Sequence, residues 1–100
     1  MIVRIFDTAA APENIERGKE LFRTKVRPAF ASLPGCHGIE MLIGVDEHSG
    51  DLVELTAISR WDSLEAIAAA TKTPEYDAAL EEIRQLFAQA PIVRHFESIE

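Results

Sequence analysis

One cysteine, one tryptophan, one tyrosine and five glycines are spread over 100 residues, and no apolar run approaches the length of a membrane span. A lone Cys36 closes no intrachain disulfide, so stability must come from an apolar core, in keeping with a reducing compartment. Apolar runs far short of ~18 residues exclude a spanning helix. The opening MIVRIFDTAAAP has no basic stretch leading into a long apolar segment; no secretory signal is expected, and a cytoplasmic location is the default. Positive charge is scarce too, with ten Lys and Arg against seventeen Asp and Glu for a net charge of −7. Such a field repels phosphate backbones and anionic membrane surfaces, which removes nucleic acid and membranes as expected partners. Gly35, Gly38, Gly44 and Gly50 form no phosphate-cradling pattern at the start of a helix, so a nucleotide or flavin has no support. Cys36 beside His37 lacks a second Cys or close His at ligand spacing. No metal and no cofactor is expected.

What is present is the make-up of one globular domain over residues 1–100, with 47% hydrophobic residues and a length suited to a single core. Ile2–Asp7 is β-branched and aromatic with a lone charge, a strand pattern. Pro12, with Glu13 and Glu16 behind it, marks a helix start. Gly18, Phe22, Val26, Ala29, Phe30 and Leu33 recur at spacings of three and four as its apolar stripe. Pro28 should clash with the carbonyl four residues back and disfavour α geometry at Arg27; a kink or a second short turn through Ala29–Leu33 is expected.

CHGIEMLIGVDEHSGDLVELTAISRW is a β-hairpin whose turn, Asp46–Asp51, includes His48. Alternation puts His37, Ile39, Met41, Ile43 and Val45 with Val53, Leu55, Ala57 and Trp61 on one face, the helix side. Asp62 and Glu65 suggest a capping box for a short Ala-rich helix with Leu64, Ile67, Ala68 and Thr71 on one side. Thr73 as N-cap and Pro74 at the first position start the last helix, with Tyr76, Leu80, Ile83 and Phe87 as its buried stripe. IVRHFESI is a closing strand. The order β-α-β-β-α-α-β predicts an α+β, ferredoxin-like fold, a four-stranded antiparallel sheet with helices on one face. The other face would expose Leu42 and Ile58, so two copies are expected to pack there as a homodimer.

The run Val53–Trp61, the W-D-S-L-E-A element of Trp61–Ala66, the T-P-E-Y turn of Thr73–Tyr76 and the closing V-R-H-F-E strand together resemble the antibiotic biosynthesis monooxygenase domain of the dimeric α/β-barrel superfamily. The resemblance implies a homodimeric barrel with a pocket in each protomer between helices and sheet. Some members oxidise phenols or quinols with dioxygen and no flavin or metal; others degrade haem, respond to stress or have no known activity. For the haem-degrading branch, Ala70 and Leu80 stand where a Trp and an iron-ligating His are required. The expected function is thus cofactor-independent oxidation of a small aromatic, phenolic or quinol-type, by dioxygen; a non-catalytic small-ligand-binding or stress-associated dimer is the alternative.

Such chemistry needs flat apolar walls, a donor for the developing oxyanion and a base. Trp61 offers a ring and an N–H, and is a wall candidate or a packing anchor. Tyr76 points inward from its helix with a hydroxyl that needs a partner. His37 is the favoured base for its helix-side parity, with His95 as the other choice. Phe22, Phe30 and Met41 are candidate lining, although Met41 is equally a core filler. The Ala-rich helix between Trp61 and Tyr76 is a candidate flap over the cavity.

Overall fold

The computed structural model describes residues 1–46 and 51–99. The chain runs β1 (Ile2–Ala10), α1 (Ile15–Leu21), α2 (Arg27–Ala31), β2 (Cys36–Ile43), β3 (Val53–Trp61), α3 (Leu64–Ala70), α4 (Pro74–Arg84) and β4 (Ile92–Glu97). The strands form one antiparallel sheet in the order β2-β3-β1-β4. It is the expected α+β ferredoxin-like architecture, with the helices on one face. The hairpin turn and His48 fall largely on residues 47–50, outside the described residues.

The central strand organises everything near the cavity. Ile2, Arg4, Phe6 and Thr8 of β1 stand opposite Trp61, Ser59, Ala57 and Leu55 of β3, and directly opposed residues share a face. That face lies under the helices: Thr8, Leu55, Ser59 and Trp61 are buried there. Leu21, Phe22, Val26, Phe30, Ile67, Tyr76, Leu80 and Ile83 close over them from above. On the uncovered face, Leu42, Ile92 and Phe96 are about half exposed.

Four local readings need correction. A second short helix, α2, does follow, but Pro28 does not drive Arg27 out of α geometry. Phe22–Val26 forms a π-turn between α1 and α2, in which the Arg27 amide donates to the Phe22 carbonyl five residues back. This wider turn gives the proline ring the room an α turn would deny it, so Arg27 keeps helical angles (φ −59°, ψ −47°). The cap of α3 is Ser63, whose Oγ accepts from the Ala66 amide at 3.1 Å. Asp62 is turned instead to His37. With the helix starting one residue later than expected, Ile67 and Ala70 are buried and Leu64 is exposed.

The third correction concerns β2. Cys36 pairs with Trp61 but Ile39 pairs with Ser59, so three steps on β2 match two on β3. One extra residue is a β-bulge, and Gly38 occupies it at φ 123°, where a side chain would be strained. The slip puts Cys36, Ile39 and Met41 against the core and leaves His37 exposed, overturning its helix-side parity. Lastly, Phe87 lies beyond the end of α4 and is held by a bridge to Ala10, not by helical spacing. The expected Thr73 cap forms, its Oγ1 accepting from the Tyr76 amide at 3.2 Å; this orients the first turn of α4 and with it the tyrosine ring.

Candidate functional site

Between sheet and helices lies an apolar hollow of about 50 Å³. Phe6, Met41, Leu55 and Ala57 rise into it from the strands, while Phe22 and Phe30 reach it from the helical side. A wider, more open chamber of about 620 Å³ adjoins it, bordered by Thr71, Arg84, Gln89 and Pro91. Arg4, Phe6, Tyr76 and Phe87 line both. They form the neck where the dry interior meets the chamber.

Two of those neck residues are polar, and a third polar group joins them. Arg4 sits on the helix-covered face of the central strand, and its direct neighbour on β4 is His95. The guanidinium lies 2.8 Å from His95 Nε2 and makes a longer, 3.4 Å contact to the Tyr76 hydroxyl. Arginine has only donors, so His95 Nε2 must be the acceptor and the ring proton must reside on Nδ1. Partial desolvation, aided by the Arg4 charge, lowers the imidazole pKa from its ordinary value. The histidine is therefore held neutral at pH 7. No carboxylate among the described residues pairs with Arg4, an uncommon state for a half-buried guanidinium.

Aromatic contacts fix the neck. Phe30 bridges Tyr76, at 5.6 Å between ring centroids, and Trp61, at 6.2 Å in an edge-on arrangement; Phe6 and Phe87 meet at 5.6 Å. The Arg84 guanidinium carbon lies 5.9 Å from the centre of the Tyr76 ring, within cation–π range. Each such pair adds roughly 0.5–1.5 kcal/mol beyond burial, enough to hold the tyrosine in one orientation.

The sequence-derived candidates separate. Tyr76, Phe22, Phe30 and Met41 all line the hollow. Trp61 does not: it is fully buried behind Phe30, and its indole N–H donates to Ser59 Oγ at 2.8 Å. His37 is also elsewhere, exposed at the end of β2 and 2.5 Å from Asp62 Oδ1. The Ala-rich α3 contributes no wall to the hollow and does not cover it as the expected flap. Cys36 is half-buried, and desolvation raises its thiol pKa, keeping it protonated. No group of three His, Cys, Asp or Glu among the described residues is placed to hold a metal ion.

Arg4 was missed as a site residue, although a signal for it existed. Counting from Phe6 and Thr8 by twos places Arg4 on the same face, and a charge on the covered face of a central strand demands a purpose. Its pairing with His95 crosses 91 positions and depends on β4 lying beside β1, which local pattern does not disclose.

A sequence profile for antibiotic biosynthesis monooxygenase matches residues 1–82. Search of curated proteins returned no match. Among solved structures, a protein from Nitrosomonas europaea assigned to the antibiotic biosynthesis monooxygenases superposes with a TM-score of 0.78 at 17% identity, covering 100% of both chains. Another so assigned, from Bordetella bronchiseptica, gives 0.77 at 17% identity over 99% of this chain and 97% of its own. A mutant of SnoaB, a cofactor-independent oxygenase from Streptomyces nogalater, gives 0.72 at 18% identity over 99% and 94%. At these identities the superpositions speak for the fold, whereas the profile match over most of the chain assigns the family. The chain belongs to the antibiotic biosynthesis monooxygenase family.

Proposed function

We propose that this protein oxidises a flat phenol or quinol with dioxygen, using no cofactor, at the neck formed by Arg4, Tyr76 and His95. One observation carries the reading: an apolar hollow ends on a guanidinium that has no carboxylate partner among the described residues, beside a neutral imidazole and a phenol hydroxyl. Family membership and the likeness to a cofactor-independent oxygenase support it.

Volume decides how the reactants divide. Pockets for organic ligands occupy roughly 300–1,000 Å³, so a fused ring fits the outer chamber of about 620 Å³ and not the hollow of about 50 Å³. The hollow suits a small apolar molecule, since dry apolar cavities bind such guests readily. We assign the ring to the chamber with its hydroxyl at the neck, and dioxygen to the hollow. Arg4 stabilises the phenolate; His95 Nε2 takes the phenol proton when the incoming phenol displaces the hydrogen bond it accepts from Arg4, and Tyr76 orients the oxygen atom. The electron-rich anion then reduces dioxygen directly. For a phenol with an open para position the balance is ArOH + O2 → quinone + H2O: one oxygen atom becomes the new carbonyl, and the other leaves as water with the phenol and ring hydrogens. Phe22, Phe30 and Met41 supply walls; Trp61 acts by bracing Phe30 and Ser59, and His37 by tying β2 to the start of α3.

We further infer that two copies pack through the uncovered sheet face, where Leu42, Ile92 and Phe96 are exposed. Sedimentation at micromolar concentration is expected to give twice the chain mass; a stable monomer refutes the pairing. The oxidation itself is tested with 1-naphthol and 18O2. The expected product is 1,4-naphthoquinone carrying one labelled atom, formed in wild type and lost in Arg4→Gln. Binding of 1-naphthol without oxygen uptake above the protein-free rate overturns the catalytic reading in favour of a small-ligand-binding protein.

A further inference from the structure

The outer chamber carries a charge preference opposite to that of the molecule around it. Across a chain with seventeen acidic residues and a net charge of −7, no Asp or Glu among the described residues lines either cavity. The chamber instead presents two arginines, Arg4 and Arg84. They bracket Tyr76, one at its hydroxyl (3.4 Å) and one over its ring face (5.9 Å). Arg84 has one acidic neighbour, Asp77, at 3.5 Å on the exposed surface of α4, a pair of the kind that contributes little and exchanges readily. Arg4 has none.

The Arg84 guanidinium at the rim offers the fork that a carboxylate accepts bidentately, while Arg4, with no carboxylate partner among the described residues, is left to face a hydroxyl. A phenol with no acid group would satisfy Arg4 through its hydroxyl but leave Arg84 facing an apolar ring, at a desolvation cost that nothing repays. From this arrangement we propose that the ligand of the outer chamber is an aromatic acid, its carboxylate held by Arg84 at the rim while its ring lies against Phe6, Tyr76 and Phe87 and its hydroxylated edge faces Arg4. The inference deepens the oxidation reading and uses the same chamber, but it concerns recognition and is tested without oxygen.

The probes are 2-naphthoate and its neutral near-isostere 2-naphthamide, titrated calorimetrically into the full chain. A charge-assisted hydrogen bond distinguishes them by about tenfold or more. Naphthoate is expected to bind at least about tenfold tighter at low salt, with the preference falling as salt is raised. Arg84→Gln is expected to abolish the preference and Arg84→Lys to retain part of it; Arg84 is surface-exposed, so folding is preserved, and circular dichroism checks it. Equal affinity for the two probes, no binding of either at millimolar concentration, or a preference that survives Arg84→Gln overturns the proposal. A naphthoate preference together with no oxygen uptake on any hydroxynaphthoate leaves the recognition standing and removes the oxidation. Oxidation of 1-naphthol with equal naphthoate and naphthamide affinities does the reverse.

Discussion

Replacing Arg4 by Gln removes one positive charge from the neck and keeps a side chain able to reach His95. In wild type the guanidinium faces any phenolic oxygen seated there and has no carboxylate partner among the described residues. A hydrogen bond to a charged partner is worth about 1.5–3 kcal/mol. At about 1.4 kcal/mol per pKa unit, preferential binding of the phenolate should therefore lower the bound phenol's pKa by about one to two units. A nitrophenol reports this directly, because its phenolate absorbs in the visible. Titration of the bound chromophore from pH 5 to 9 should give a midpoint one to two units below that of the free phenol in wild type, and an unshifted midpoint in Arg4→Gln. Raising salt should erode the shift only partly, since the neck is half-buried and screened less than an exposed pair. A bound midpoint equal to the free one, or the same shift in the variant, refutes the assignment of Arg4 as the phenolate partner.

Ser59→Ala strands the indole N–H of a fully buried Trp61 and should cost about 1–3 kcal/mol, read as a fall in the thermal midpoint of roughly 4–8 °C per kcal/mol; an unchanged midpoint contradicts the bracing role. Ala57→Leu fills the hollow and should raise the KM for dioxygen several-fold while leaving the aromatic ligand's Kd within about twofold, with an overpacking cost of about 1–3 kcal/mol visible in urea denaturation; equal changes in both constants argue against a separate place for oxygen. His95 has a folded pKa below its unfolded value of about 6.5, so as pH falls the unfolded chain takes up the proton first. Its contribution to stability is complete above about pH 6.5 and is lost as pH drops through the folded pKa; His95→Gln should flatten that acid limb in urea titrations at pH 5 to 7.5, and a limb identical to wild type contradicts the assignment.

Several readings that depended on residues close in sequence succeeded. Thr73, Pro74 and Tyr76 form a start signal within four positions, and the α4 stripe of Tyr76, Leu80 and Ile83 follows from helical spacing alone. The pairing of β2 with β3 follows from their alternation on either side of one turn. Failures came where one residue changed the count. Gly38 adds a position to β2 and carries His37 off the covered face, and only the cross-strand register reveals it. Asp62 and Ser63 are both good caps; the first is drawn away by His37, a partner 25 positions distant. Pro28 obeys the rule that forbids it in an α turn, and the chain answers with a π-turn instead of a break.

The site was half legible for the same reason. Phe22, Phe30, Met41 and Tyr76 belong to apolar patterns that must face inward. Arg4 and His95 meet only because β4 returns to the edge of β1, and the burial of Trp61 behind Phe30 depends on how two aromatics divide one space. Parity names the face a side chain is on. It does not tell a wall from what stands behind the wall.

The central claim is that ligand meets the protein at Arg4 and His95, not at the other strand histidine. Proton NMR of the imidazole ring signals during titration with 1-naphthol tests it most directly, with His37→Asn and His95→Gln variants giving the assignments. The His95 resonance should move in saturable fashion while His37 stays within the noise. Movement of His37 with His95 unaffected would place the site on the opposite side of the bulge and contradict the account.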